Sequence, residues 1–396
     1  MRDLDDHVSR ALDLVEPAPA REVALAQALG LTAAADLAAA TASPAFDNSA
    51  MDGYAVRAAD TAGASPDRPV VLTVAGETAA GAAPAALPPG SAWRIMTGAP
   101  VPAGADAIVP VEHTDGGTAR VVIAHPTDAG RHVRRRGEDA VPGDAVVAAG
   151  TELTAARIGA LAAVGVATAL AVPAPRVAIL ATGDELVDPG ADLAPGQIHD
   201  SNSLLLAGLV REAGAQPIVL DRVGDWPGAL LERLEGVDAD LIVTTGGVSV
   251  GAYDVVKAAL AGRGVEFAQV AMQPGKPQGL GTVGGTPIAC LPGNPVSVLV
   301  SFAVIVRPMI DRLAGRAAAS SEQVAKAGEG WRTAPGRRQF MPVRFADNGH
   351  VVPATAGGSG SHLMARLAAA EALADVPAGV ERVEPGDTVG VVRWRR

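Results

Sequence analysis

The chain has 396 residues, 48% of them hydrophobic and 19% charged, which supports a sizeable core and excludes wholesale disorder. At ~150 residues per domain, that length implies two to three domains or more. Aromatics are only 3% and the net charge is −11, which argues against a base-stacking platform and against general affinity for nucleic acid or anionic membrane.

Cys290 is the only cysteine, so neither an intramolecular disulfide nor a cysteine-based zinc site is available. The first ten residues, MRDLDDHVSR, contain no apolar stretch of the secretory kind. The apolar run Val296–Val306 has eleven residues, too few to cross about 30 Å of hydrocarbon. These features together point to a cytoplasmic protein.

In chain order, Leu4, Val8, Ala11, Leu12 and Val15 follow a helical period, and Arg21–Gly30 repeats it with glycine as a stop. From Ser43 the texture turns β-like, with runs at Val70–Ala75, Trp93–Met96, Ala107–Val111 and Ala119–Ile123. Residues 137–172 return to the helical character, so the β region reads as an insertion. Pro173-Ala-Pro175 reads as a linker. Strands then alternate with helices, which predicts a parallel sheet with right-handed crossovers. The strands are expected at Arg176–Leu180, Gln216–Leu220, Asp240–Thr244, Val265–Val270 and Thr286–Cys290, and a helix from Val296 to Leu313 closes the unit. After Gly315 the chain is β-like to its end.

Ligands of open parallel sheets bind beyond the carboxyl ends of the strands. Those ends carry TGDEL (Thr182–Leu186), Asp221 with Asp225, GGVSVGAYD (Gly246–Asp254), QPGKP (Gln273–Pro277) and LPGNPVS (Leu291–Ser297). Gly246, Gly247, Pro292, Gly293, Asn294 and Pro295 supply tight turns and helix starts that cradle phosphate, and Ser249 and Ser297 add hydroxyls. Asp184, Glu185, Asp225 and Asp254 bring carboxylates to the same edge. A cation reconciles carboxylates with a phosphate ligand, and Mg2+ suits that chemistry. Asp225 and Asp254 fit helix starts equally well, and Asp184 fits a turn, whereas Glu185 has no such structural excuse. Lys276 sits on a stiff loop suited to a fixed anion contact.

In the β region, FDNSAMDGYAV (Phe46–Val56) crowds Asp47, Asn48, Ser49 and Asp52 around a turn. RIMTGAPVP (Arg94–Pro102) places Thr97 after a strand. Arg131, Arg134, Arg135 and Arg136 form the one dense basic cluster, either a solvated face or an anion clamp.

The set FDNSAMDGYA, IMTGAPVP, RRRGED, TGDEL, GGVSVG, PGKP and LPGNPVS resembles the molybdopterin molybdenumtransferase family, related to the E domain of gephyrin. The resemblance runs from about residue 44 to 315. It implies α/β plus β architecture in four domains: an elongated, discontinuous helical one (1–44 with 137–172), an inserted β domain (45–136), an α/β molybdopterin-binding domain (173–315) and a C-terminal β-barrel-like domain (316–396). It also implies a homodimer whose cleft lies between the α/β domain of one chain and the β insertion of the other. The implied reaction takes adenylylated molybdopterin and molybdate, inserts molybdenum and releases AMP with Mg2+ assistance. Asp52, Thr97, Glu185, Asp225 and Asp254 match the family's functional positions, as do Pro292 and Pro295, while Ser249 and Lys276 match anion contacts.

Three positions depart from the family pattern. Gln273 replaces the first lysine of KPGKP, Pro342 stands where GR-x-x-F-x-R ends in arginine, and Ser359-Gly360-Ser361 replaces QGS. All three fall where an oxyanion would be held, with Arg337 and Arg338 as candidates to compensate and Ser361 as a remaining hydroxyl. Two other readings compete. A non-catalytic pterin-binding or scaffolding relative has no use for Glu185 beside Asp184. A molybdopterin adenylyltransferase-like enzyme lacks the DNSAMDGYA insertion.

Overall fold

The computed structural model describes residues 1–79, 81, 83, 86–224, 226–248, 254–316, 323–354 and 367–394. It is a mixed α/β, multidomain architecture built on three larger sheets.

The inserted β region forms a five-stranded sheet in the order Ala107–Pro110, Gly53–Val56, Ser91–Ile95, Val70–Thr78, Arg120–Ile123. All four sequence-predicted strands are present. Tyr54, Val56, Leu72, Val109 and Ile123 bury one face.

The expected helix over Arg21–Gly30 does not form. Arg21–Ala24 is a strand paired antiparallel with Thr168–Val172, followed by a short 3-10 turn at Leu25–Gln27. Thr32–Ala33 pairs on the other edge of Thr168–Val172, and Leu37–Ala38 pairs with Ala145–Val147. The spacing of Leu25 and Ala28 buries both residues just as well from a strand and turn, and long-range pairing overrides helix propensity. Among its described residues, the "helical" region therefore holds two α-helices, Leu4–Asp13 and Ala155–Ala163, with strands between them.

The first helix, Leu4–Asp13, is capped by Asp3, which accepts from the Asp5 N–H at 2.8 Å. Its Leu4 and Ala11 pack into the core of the α/β unit with Ile310 and Leu313, not against the strands that follow it in sequence. His7 on this helix is fully buried, and burial, then the Arg2 guanidinium, lowers its pKa to about 4 from 6.5. Glu266 and Asp6 oppose that shift, and Arg10 adds to it. The unfolded chain takes up this proton near 6.5, whereas the folded chain resists until about 4. Stability is therefore full above 6.5 and falls as pH drops through that window, by about 3 kcal/mol in all. The denaturant midpoint measured between pH 7 and 4 is expected to show this slope, and His7→Leu is expected to flatten it.

The central sheet has six strands in the order Gln216–Val219, Arg176–Ala181, Leu241–Thr245, Thr286–Leu291, Pro277–Val283, Val265–Gln269. The first four are parallel. Pro277–Val283 runs antiparallel between its neighbours, so the sheet is mixed rather than wholly parallel. The sequence hides this strand because Pro277, Gly279 and Gly281 read as loop. The other five strands still point the same way, which keeps their carboxyl ends on one edge. Cys290 lies fully buried in this sheet, and burial pushes its thiol up to about 12, so it is core and not a nucleophile.

The closing helix runs as Pro295–Ser301, a π segment Phe302–Val306, and Arg307–Leu313. The third sheet is C-terminal, with Arg338–Phe345, Ala372–Val376, Thr388–Val392 and Gln323–Lys326. Met272–Gln273 joins its edge in parallel, with Met272 opposite Arg338. That pairing brings the C-terminal sheet to the edge of the α/β unit. Among the described residues, no helix is long and apolar enough to cross a membrane.

Candidate active site

A cleft of about 840 Å3 opens at the carboxyl ends of the central strands. It is lined by Glu185, Gly246, Gly247, Asp254, Lys276, Pro292, Gly293, Asn294, Pro295 and Ser297 among the sequence-predicted residues. Four separate strand-end segments thus meet at one place. A larger groove of about 1630 Å3 lies between the first helix, the last helix and the C-terminal sheet, and of the candidates named from sequence its lining holds Arg338 alone.

The cleft floor is tied by short bonds. The Gly246 N–H donates to the Leu291 carbonyl at 3.1 Å. The Thr182 N–H donates to the Thr245 carbonyl at 3.2 Å. Gly246 has φ of 96°, and a Cβ there would lie 2.8 Å from the Thr182 carbonyl oxygen, so both conformation and space demand glycine. The Glu185 carboxylate lies directly over Gly183, where a Cβ would meet Oε2 at 2.5 Å. Asp184 is exposed, lies against Gly224 and is not part of the lining.

Two cations line the cleft among the described residues, Lys276 and Arg337. The register decides between the paired arginines. Arg338 donates to Asp375 at 2.7 and 2.5 Å and to Asp5 at 3.0 Å, which raises its pKa and commits it to holding the first helix to the C-terminal sheet. Arg337 remains for the cleft. Gln273 also lines it, while Pro342 is buried in its strand opposite Leu373.

The β-region residues do not line this cleft. Asp52 accepts from the Thr97 N–H at 2.6 Å and from its hydroxyl at 2.8 Å, and these two bonds lower the Asp52 pKa. Ser49 is fully buried, with its hydroxyl donating to the Met51 carbonyl at 2.5 Å, so it closes its own turn. Asp47 accepts from the Arg136 N–H at 2.8 Å and from Arg135 at 2.7 Å, and both lower its pKa. Part of the basic cluster is therefore spent fastening the FDNS loop. Asp221 pairs with Arg233 at 2.8 Å on the surface. Asp225, Ser249, Ser359 and Ser361 lie outside the described residues.

Among the described residues, no three histidine, cysteine, aspartate or glutamate side chains gather to hold a metal. Mg2+ asks for less, because one or two carboxylates with phosphate oxygens and water suffice. Glu185 and Asp254 share the cleft, and Asp254 Oδ2 is buried with no hydrogen-bond partner among the described residues. A buried carboxylate oxygen without a donor is costly until a cation or donor arrives. These residues fit the ion.

Sequence reasoning missed Asn202 and Thr245, which form the floor with the Pro292–Gly293 turn. Asn202 Nδ2 donates to Thr245 Oγ1 at 3.1 Å and to the Gly293 carbonyl at 2.7 Å. Thr245 Oγ1 donates in turn to the Pro292 carbonyl at 3.2 Å. The only signal was the polar run Asp200-Ser201-Asn202-Ser203 at a helix start, which capping explains equally well, and Asp200 does cap, accepting from Ser203 N at 3.0 Å.

Fold and cleft together define a multidomain α/β protein with a charged ligand cleft at the ends of its central strands. The family model for the MoeA N-terminal region (domain I and II) matches residues 2–165. That for a probable molybdopterin binding domain matches 178–312, and that for the MoeA C-terminal region (domain IV) matches 324–394. The chain is 45% identical over 403 aligned positions to molybdopterin molybdenumtransferase 2 of Mycobacterium tuberculosis, covering 99% of each. It is 39% identical to molybdopterin molybdenumtransferase 1 of the same organism, covering 99% of this chain and 98% of that one. The crystal structure of a molybdopterin biosynthesis MoeA protein from Pyrococcus horikosii superposes with a TM-score of 0.82 at 32% identity, covering all of both chains. The chain belongs to the molybdopterin molybdenumtransferase family.

Proposed function

We propose that this chain is a Mg2+-assisted transferase that inserts molybdenum from molybdate into adenylylated molybdopterin and releases AMP, in molybdenum cofactor biosynthesis. The observation that carries this reading is one cleft holding Glu185 and Asp254, the cations Lys276 and Arg337, and the Gly246 and Gly293 turns. Carboxylates, cations and backbone donors at strand ends are what a pyrophosphate link and an oxyanion ask of an acidic protein. Lys276 and Arg337 bind oxyanion or phosphate, and the glycine turns let the ligand approach the backbone. Glu185 and Asp254 are the residues that would hold Mg2+, with Asp225 as a third candidate. Bound there, the ion would neutralise charge between phosphate oxygens as the link to AMP breaks. AMP release from adenylylated molybdopterin and molybdate, with and without Mg2+, tests the reading, and no AMP under either condition would sink it.

The finer organisation follows the four domains at 1–44 with 137–172, 45–136, 173–315 and 316–396, in a cytoplasmic homodimer. Asp52 and Thr97 bond to each other away from the Glu185 cleft, and the same β region exposes the apolar side chains of Phe46 (46% exposed) and of Met96 (43% exposed), the residue before Thr97. A second copy that brings its Asp52–Thr97 pair to this cleft accounts for both facts. Sedimentation at micromolar concentration is expected to give a dimer, and a fully active monomer would refute it.

Gln273 leaves the loop one charge short of the family pattern. A charge-assisted contact contributes about 1.5–3 kcal/mol against about 1 for a neutral one. Gln273→Lys is expected to tighten molybdate binding several-fold at low salt, with the gain shrinking as ionic strength rises. Equilibrium binding of molybdate and of tungstate at two salt concentrations checks it.

A further inference from the structure

Asn202 lines the cleft with an amide whose orientation is fixed. Its Nδ2 donates to Thr245 Oγ1 at 3.1 Å and to the Gly293 carbonyl at 2.7 Å. Flipping the amide would set Oδ1 against the Gly293 carbonyl, acceptor against acceptor, so the network decides the assignment. Oδ1 is left buried and without a hydrogen-bond partner among the described residues. Thr182 Oγ1, elsewhere in the same lining, is also buried and unpartnered among the described residues. Desolvation of these two oxygens is already incurred in the free protein, so a ligand that brings donors gains from them at little further cost.

The chemistry selects the ligand. An amide oxygen accepts and never donates, so it offers nothing to molybdate or to an ionised phosphate, both of which are acceptors only. It answers an N–H. The amino-pyrimidinone edge of a pterin presents adjacent N–H donors, the ring N3–H and the 2-amino group, either of which a single acceptor oxygen can take. Adenine offers a single amine.

We propose that Asn202 Oδ1 reads the N–H edge of the pterin ring, so that Asn202 is a substrate-recognising residue distinct from the anion contacts at Lys276 and Arg337. This rests on the reading of the cleft as a molybdopterin site. The division of labour follows from it: cations and glycine turns hold the charged end, and Asn202 selects the heterocycle.

The test is equilibrium binding of molybdopterin, AMP and molybdate to the full-length wild type and Asn202→Ala. Asn202→Ala is expected to weaken molybdopterin roughly tenfold, the loss that follows when a donor is left unmet. AMP and molybdate are expected to stay within about twofold. Binding of 6,7-dimethylpterin against 6,7-dimethyllumazine, in which a carbonyl replaces the 2-amino donor, is expected to favour the pterin in the wild type and to lose that preference in Asn202→Ala. Equal weakening of all three ligands in Asn202→Ala would show a collapsed Gly293 turn and overturn the proposal, as would weakening of AMP alone. Unchanged molybdopterin affinity in that variant overturns it while leaving the transferase reading intact. A wild type that binds no molybdopterin overturns both.

Discussion

Glu185→Gln is expected to lower AMP release by about 10^2- to 10^3-fold, the range seen when one preorganised electrostatic group is removed from a site where charge develops. The same change should raise the Mg2+ concentration needed for half-maximal rate and leave the melting temperature nearly unchanged. The reason lies in the placement of the side chain. Glu185 is exposed, lines the cleft, and lies over Gly183. Glutamine keeps that shape and loses only the charge. Asp184, next in sequence, is outside the lining, so Asp184→Asn provides the contrast and should change turnover little. Equal effects of the two substitutions would mean that the charge of the whole turn matters and not the carboxylate in the cleft.

That contrast also marks where the sequence was legible. TGDEL, GGVSVG, QPGKP and LPGNPVS were readable because their chemistry is local, a few polar or flexible residues at the end of each strand. Convergence on one edge survived even though the sheet is mixed, since Pro277–Val283 is the only strand that runs the other way. Asn202 was not readable, because its role comes from a bond to Gly293, 91 residues away, and a helix start explains its neighbourhood without any ligand. Ser49 stood out as one of four polar residues around the FDNS turn, and the fold directs its hydroxyl inward to the Met51 carbonyl. Arg21–Ala24 read as helix because its period is ambiguous over so short a run, and its partner strand lies at Thr168–Val172. Whether Arg337 or Arg338 faces the ligand depends on register, which composition does not encode.

The choice between those arginines sets the second large effect. Lys276 and Arg337 are the two lysine or arginine side chains in the described lining, and no hydrogen bond or ion pair within the described residues occupies either one. Each charge-assisted contact to an anion contributes about 1.5–3 kcal/mol, so removing both should cost about 3–6 kcal/mol, a loss of 10^2-fold or more in affinity. Lys276→Ala/Arg337→Ala is therefore expected to abolish measurable molybdate binding at physiological salt, and each single variant should show an intermediate loss. The salt dependence of binding should flatten with each charge removed, because screening acts on the charges that remain. Arg338→Ala should behave in the opposite way. It breaks the bonds to Asp375 and Asp5, so the denaturant midpoint should fall while molybdate affinity holds. Unaltered molybdate binding in the double variant would place the oxyanion away from the QPGKP loop. Lys276 and Arg337 would then serve the nucleotide's phosphates, and AMP affinity in the same double variant would show the loss instead.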